Sequence, residues 1–103
     1  MLLLKYKIFK VGEVFLIRIK LIVKGLVQGV GFRFFTKLTS TKLNITGYVK
    51  NLDNGDVLIE AQGTRSNLDK LKVQLYKGNG FCKVTSIEET SLDIISSEKN
   101  FIF

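Results

Sequence analysis

The chain has 103 residues, 46% hydrophobic and 24% charged, with 16 lysines and arginines against nine aspartates and glutamates. That length suits one domain around one core, and the composition excludes a disordered chain. The net charge of +7 favours anionic partners, and the absence of histidine excludes the usual His-based mechanisms.

Cys82 is the lone cysteine, so it cannot close an intramolecular disulfide. This points to a reducing compartment, and a cytoplasmic location is expected. Without a histidine to activate it, Cys82 is a poor candidate nucleophile.

Met1 to Val23 is rich in apolar residues, but Lys5, Lys7, Lys10, Glu13, Arg18 and Lys20 break it up. No run approaches the roughly 20 apolar residues of a membrane span, and no secretory signal is visible. Residues 1–12 read as an extension, either an extra strand or a flexible tail, ahead of a domain covering residues 13–103. Within it Lys5, Lys7 and Lys10 alternate with Tyr6, Ile8, Phe9 and Val11, a pattern able to add to a sheet edge. A monomer, or weak self-association through this segment, is expected.

Val14–Lys24 alternates, with Ile17, Ile19, Leu21 and Val23 on one face and Arg18, Lys20, Ile22 and Lys24 on the other. That is a half-buried strand. A glycine-rich turn follows, and then Phe32 to about Leu43 switches to helical spacing through Phe32, Phe35, Leu38 and Thr39. Asn44 suits a left-handed cap. Ile45–Asn51 is β-prone, Asn54-Gly55 is a hairpin-turn signal, and Val57–Gln62 presents Val57, Ile59 and Ala61 on one face. After Gly63, Ser66 is the expected N-cap of a helix with the stripe Leu68, Leu71 and Leu75, ended by Gly78-Asn79-Gly80. Val84–Thr90 is a further strand, and Phe101-Ile102-Phe103 is apolar enough to dock. The order β-α-β-β-α-β predicts an α+β sandwich: an antiparallel sheet with two helices on one face.

Chemistry concentrates in Gly25-Leu26-Val27-Gln28-Gly29-Val30-Gly31-Phe32-Arg33. Three glycines in seven residues leave backbone N–H groups uncovered by Cβ atoms, and a helix N-terminus follows. Such a turn can cradle a phosphate or carboxylate, with Arg33 closing over the anion through two hydrogen bonds. A lone arginine more often sits solvated on a helix; its place directly after the cradle reverses that expectation. Phe32, Phe34 and Phe35 read as core or helix–sheet packing. Asp53 and Asp56 read as turn residues, and no carboxylate cluster resembles a metal site.

This stretch resembles the first signature of the acylphosphatases, and Gly47-Tyr48-Val49-Lys50-Asn51-Leu52-Asp53-Asn54-Gly55-Asp56-Val57, closing at Gly63, resembles the second. Two long signatures in order and at the right separation are a specific signal. The resemblance covers roughly residues 15 to 103. It implies a ferredoxin-like fold and hydrolysis of acyl phosphates to a carboxylate and inorganic phosphate, with no metal or organic cofactor. It also implies roles: the backbone of Gln28, Gly29, Val30, Gly31 and Phe32 holds the phosphoryl oxygens, Arg33 is their charged ligand, and Asn51 orients the attacking water. By itself Asn51 would more simply cap the turn before Asn54-Gly55. The sequence departs from the family in having Asn44 where glycine is usual, in lacking a frequent proline after the second helix, and in its longer N-terminal extension.

The implied chemistry is compatible with the residues. An acyl phosphate has a weakly basic leaving group, so a site of amides, one arginine and one asparagine suffices to bind, stabilise and position. Two other readings stand beside it. A basic ferredoxin-like sheet can bind RNA, but Tyr48 is the only well-placed aromatic and no RNA-recognition signature is present, which argues against nucleic acid. A non-catalytic phosphate-binding domain is the other, and it leaves Arg33 and Asn51 unexplained.

Overall fold

The structure, a computed structural model, describes residues 9–11 and 14–103. Eight elements follow one another: β1 (Phe9–Val11), β2 (Val14–Leu26), α1 (Phe32–Lys42), β3 (Thr46–Asn51), β4 (Val57–Gly63), α2 (Arg65–Lys77), β5 (Lys83–Leu92) and β6 (Phe101–Ile102). The ferredoxin-like order is therefore present, with short strands added at each end.

β2 is central, lying antiparallel between β4 and β5. β3 pairs antiparallel with the outer side of β4, and β6 runs parallel to β3 beyond it, so the sheet is antiparallel except at that edge. β1 folds back on Val14–Leu16 as a hairpin. The part of the expected N-terminal strand or tail that falls on residues 1–8 and 12 lies outside the described residues.

One core fills the space between sheet and helices. The alternation of β2 places Ile17, Ile19, Leu21 and Val23 there, beside Val57, Ile59 and Ala61 of β4 and Leu68, Leu71 and Leu75 of α2, all buried. Removing this much apolar surface from water is the main favourable contribution to folding. α2 starts from Thr64, whose hydroxyl accepts from the Asn67 N–H at 3.1 Å; Ser66, the expected cap, lies one residue inside the helix. Threonine two residues earlier offers the same oxygen, and the chain turns there directly after Gly63.

α1 is rotated from its expected face. Phe32, Thr36 and Ser40 are its buried residues, Phe35 is half-buried, and Leu38 is exposed. The hydroxyl of Thr36 is satisfied by the Phe32 carbonyl at 2.9 Å. Small side chains at i+4 and i+8 bring the helix close to the sheet, a role that an apolar-only pattern hides. α1 ends at Lys42 with Leu43 as its C-cap, and Asn44 just beyond it takes the left-handed conformation, with φ 55.

The sheet's other face carries a polar network. Arg18, buried to 1% exposure, donates to Glu60 at 3.1 Å, to Gln62 at 3.3 Å and twice to Glu98, at 2.8 and 3.1 Å. Gln62 also exchanges two hydrogen bonds with the backbone of Ile95. These bonds strap residues 95–98 across the sheet and deliver the chain to β6. Tyr48, the aromatic on which an RNA reading depends, donates its hydroxyl to Glu60 at 2.7 Å in this network. Among the described residues no helix is long and apolar enough to cross a membrane.

Candidate active site

β2 and β3 are separated by β4 and run in the same direction, so their C-terminal ends lie at one edge of the sheet. The glycine-rich turn leaves the first end and Asn51 closes the second. A small cavity of about 160 Å³ lies there, lined by Val27, Gly29, Gly31, Phe32, Arg33, Phe34, Asn51 and Phe103. Gly29, Gly31, Phe32, Arg33 and Asn51, which the sequence points to from distant positions, are thus neighbours.

The local backbone depends on glycine at three points. The β2–β5 pairing shifts register between Lys24 and Gly25, and a Cβ on Gly25 (φ 130) would overlap the Lys83 carbonyl. Gly29 and Gly31 both have φ 74, a left-handed conformation costly for other residues. Gly31 is the N-cap of α1. Among the described residues, no loop or side-chain hydrogen bond has an N–H of residues 28–32 as its donor. The uncommitted amides, the glycine turn and the helix N-terminus together make an anion-binding geometry.

Gln28 and Val30 are not part of the cavity lining. The Gln28 side chain leaves the turn and its Nε2 donates to the carbonyls of Leu52, at 2.7 Å, and Asp56, at 2.8 Å. Val30 packs on the core, and its carbonyl accepts from Asn79 Nδ2 at 2.8 Å. Lys24 pairs with Asp56 at 3.0 Å, which holds its ammonium above the ordinary lysine range through that hydrogen bond.

Arg33 and Asn51 are both exposed. The Arg33 guanidinium lies over the ring of Phe103, 5.9 Å from its centroid, and the Lys37 ammonium lies 5.4 Å from the same ring. Aromatic stacking of this kind orients a guanidinium without consuming its donors. The hairpin turn after Asn51 is closed by Asn54, whose Oδ1 accepts from the Asp56 N–H at 3.0 Å. Turn capping therefore falls to Asn54, and among the described residues the Asn51 amide has no hydrogen-bond partner.

Phe34 corrects its expected role. It is exposed and meets Phe103 edge-on, with centroids 6.4 Å apart, at the cavity wall, whereas Phe32 is buried. Phe103 reaches the site because Phe101 is buried beside Gly47 in the parallel β6 pairing. Sequence reasoning found the docking of that apolar end but not its destination. Gln28's side-chain link and Asn79 were also missed, since neither polar residue carries a periodic signal.

A ferredoxin-like sandwich with a glycine turn and cavity at one sheet edge defines a class of small α+β domain. Residues 19–103 match the family model Acylphosphatase. The acylphosphatase of Clostridium perfringens is 50% identical over 86 residues, covering 84% of this chain and 97% of its own length. That of Clostridium beijerinckii is 49% identical, over 84% and 96%. The crystal structure of acylphosphatase from Bacillus subtilis matches with a TM-score of 0.79 at 36% identity, covering 85% of this chain and 97% of that one. The fold also recurs within full-length HypF, at TM-score 0.72 and 25% identity, covering 84% of this chain but 11% of HypF. This chain belongs to the acylphosphatase family.

Proposed function

We propose that the protein hydrolyses the carboxyl–phosphate bond of small acyl phosphates, giving a carboxylate and inorganic phosphate. The observation that carries this reading is the convergence of the glycine turn, Arg33 and an uncommitted Asn51 side chain on one cavity. The N–H groups of residues 28–32 bind the phosphoryl oxygens, and Arg33 adds its charge and paired donors. The Asn51 amide offers both an acceptor and donors, so it can hold a water and aim it at phosphorus.

In-line attack then expels the carboxylate past Phe34 and Phe103. The water oxygen bonds to phosphorus as the acyl C–O–P linkage breaks at its P–O bond. The water's proton passes to phosphate or solvent. A loose transition state leaves little for a general base to do, and the weakly basic carboxylate departs without a general acid. No resident metal or organic cofactor is required by this chemistry. The unit that performs it is residues 13–103, supported by the family match and by the position of every proposed site residue within it. A cytoplasmic setting fits the single free thiol, Cys82.

The test is hydrolysis of a simple acyl phosphate against a phosphomonoester control. Turnover of the first with little of the second is expected, because nothing here protonates an alkoxide leaving group. Equal turnover of both would overturn the leaving-group argument, and turnover of neither the whole reading.

A further inference from the structure

We infer that Asn79, in the loop between α2 and β5, is a positioning residue that sets the direction of one phosphate-binding amide. The inference rests on the cradle reading above.

Asn79 lies in the loop directly after α2, and both ends of its side-chain amide are engaged. Its Oδ1 accepts from the N–H groups of Phe81 and Cys82, both at 2.9 Å, and its Nδ2 donates to the Val30 carbonyl at 2.8 Å. The amide cannot be turned over: two N–H donors face one end and a carbonyl faces the other, so oxygen and nitrogen are assigned by their partners.

A trans peptide is planar, and its C=O and N–H point in opposite directions. Among the described residues no peptide bond is cis. Holding the Val30 carbonyl toward Asn79 therefore holds the N–H of Gly31 away from it. Gly31 lines the cavity, is left-handed at φ 74, and has no side chain to resist a rotation of the preceding peptide. Glycines on both sides of Val30 make this the plane most in need of an external clamp. Asn79 supplies it from a loop 49 positions away in sequence.

The role differs from that of Arg33 or Asn51, because Asn79 does not line the cavity. The aligned Gly31 amide serves ground state and transition state alike, so its loss raises the phosphate inhibition constant and KM together while kcat changes less.

Two substitutions separate the clamp from simple turn capping. Asn79→Asp keeps an acceptor for Phe81 and Cys82 but replaces the donor to Val30 with an oxygen. Asn79→Leu keeps the shape, carries no charge and removes both functions. Each variant is compared with the full-length wild type by circular dichroism, phosphate inhibition, acyl-phosphate turnover and amide ¹H–¹⁵N spectra titrated with inorganic phosphate.

The expected result is a Gly31 amide that shifts strongly with phosphate in the wild type. Both variants should bind phosphate about tenfold more weakly, the scale of one hydrogen bond to a charged group. Folded variants matching the wild type in phosphate inhibition and KM would overturn the inference. So would weakening confined to Asn79→Asp, which would signal charge repulsion alone. If Asn79→Leu fails to fold, Asn79→Ala, also uncharged and without the amide, takes its place beside Asn79→Asp; in every case a wild-type Gly31 amide indifferent to phosphate would overturn the role. Wild type that neither binds phosphate nor hydrolyses an acyl phosphate would instead overturn the cradle reading itself.

Discussion

Gln28 is tied to Leu52: its side-chain amide donates to the Leu52 carbonyl at 2.7 Å, one residue beyond Asn51. The glycine turn after β2 and the hairpin turn after β3, two strands separated by β4, are thereby joined across the end of the sheet. Gln28→Met keeps the length of the side chain and removes this link. Turnover should fall, by up to about 10²-fold if Asn51 moves by an ångström. Phosphate inhibition should change much less, because the amides and Arg33 remain. Steady-state kinetics with inorganic phosphate as competitor measure both; an unchanged kcat in the folded variant would disprove the coupling.

Arg33 and Asn51 should separate kinetically. Arg33→Ala removes a charged ligand and is expected to damage both phosphate binding and turnover. Asn51→Ala should cut turnover by about 10²–10³-fold with phosphate inhibition much closer to normal. Circular dichroism keeps folding out of the comparison. A folded Asn51→Ala protein with nearly full activity would exclude the water-holding role.

Gly47→Ala should destabilise the sheet by more than about 1 kcal/mol. Gly47 has φ 140, and a Cβ there would overlap the Glu60 carbonyl of β4. Thermal unfolding followed by circular dichroism gives the shift. A melting temperature equal to wild type would mean that the backbone relaxes at no cost.

Arg18→Met should also destabilise strongly. Glu98 and Glu60 would lose their cation while still partly buried, at 17% and 22% side-chain exposure. The cost falls toward the low end of the roughly 3–5 kcal/mol for breaking a buried pair, because both carboxylates keep some water. Limited proteolysis should find residues 93–100 more readily cut. Equal protease resistance in both proteins would show that the strap holds without its arginine.

Tyr48 sets an alkaline limit. Its hydrogen bond to Glu60, helped by burial, raises the phenol's pKa above the ordinary 10.0. The folded state then holds a proton that the unfolded chain has released. The stabilisation is complete below about pH 10 and is lost as pH rises through the folded value. Tyr48→Phe should flatten the alkaline decline of denaturation midpoints. An identical decline in the variant would assign it to another group.

Much of this fold is legible because each element buries a simple pattern. The alternation of Ile17, Ile19, Leu21 and Val23 and the Leu68, Leu71, Leu75 stripe both correspond to buried faces. The pattern fails where burial is not apolar. Thr36 and Ser40 face the sheet although they read as polar, and Arg18 is buried on a face that reads as solvated. The cradle stands out because left-handed turns demand glycine. Gln28, Asn79 and Phe103 do not, because what matters is which distant atom each side chain meets.

The site straddles a strand that contributes no residue to the cavity lining. If β3 slid two residues along β4, every side chain would stay on its own face, and the apolar core would scarcely register the error. Asn51 would nevertheless travel about 7 Å, out of reach of the glycine turn. In the native register Gly47 faces Ala61, and its φ 140 backbone approaches the Glu60 carbonyl so closely that a Cβ would overlap it. Because Asn51 reaches the glycine turn only in this alignment, a catalytic assay becomes a more sensitive reporter of strand register than core packing.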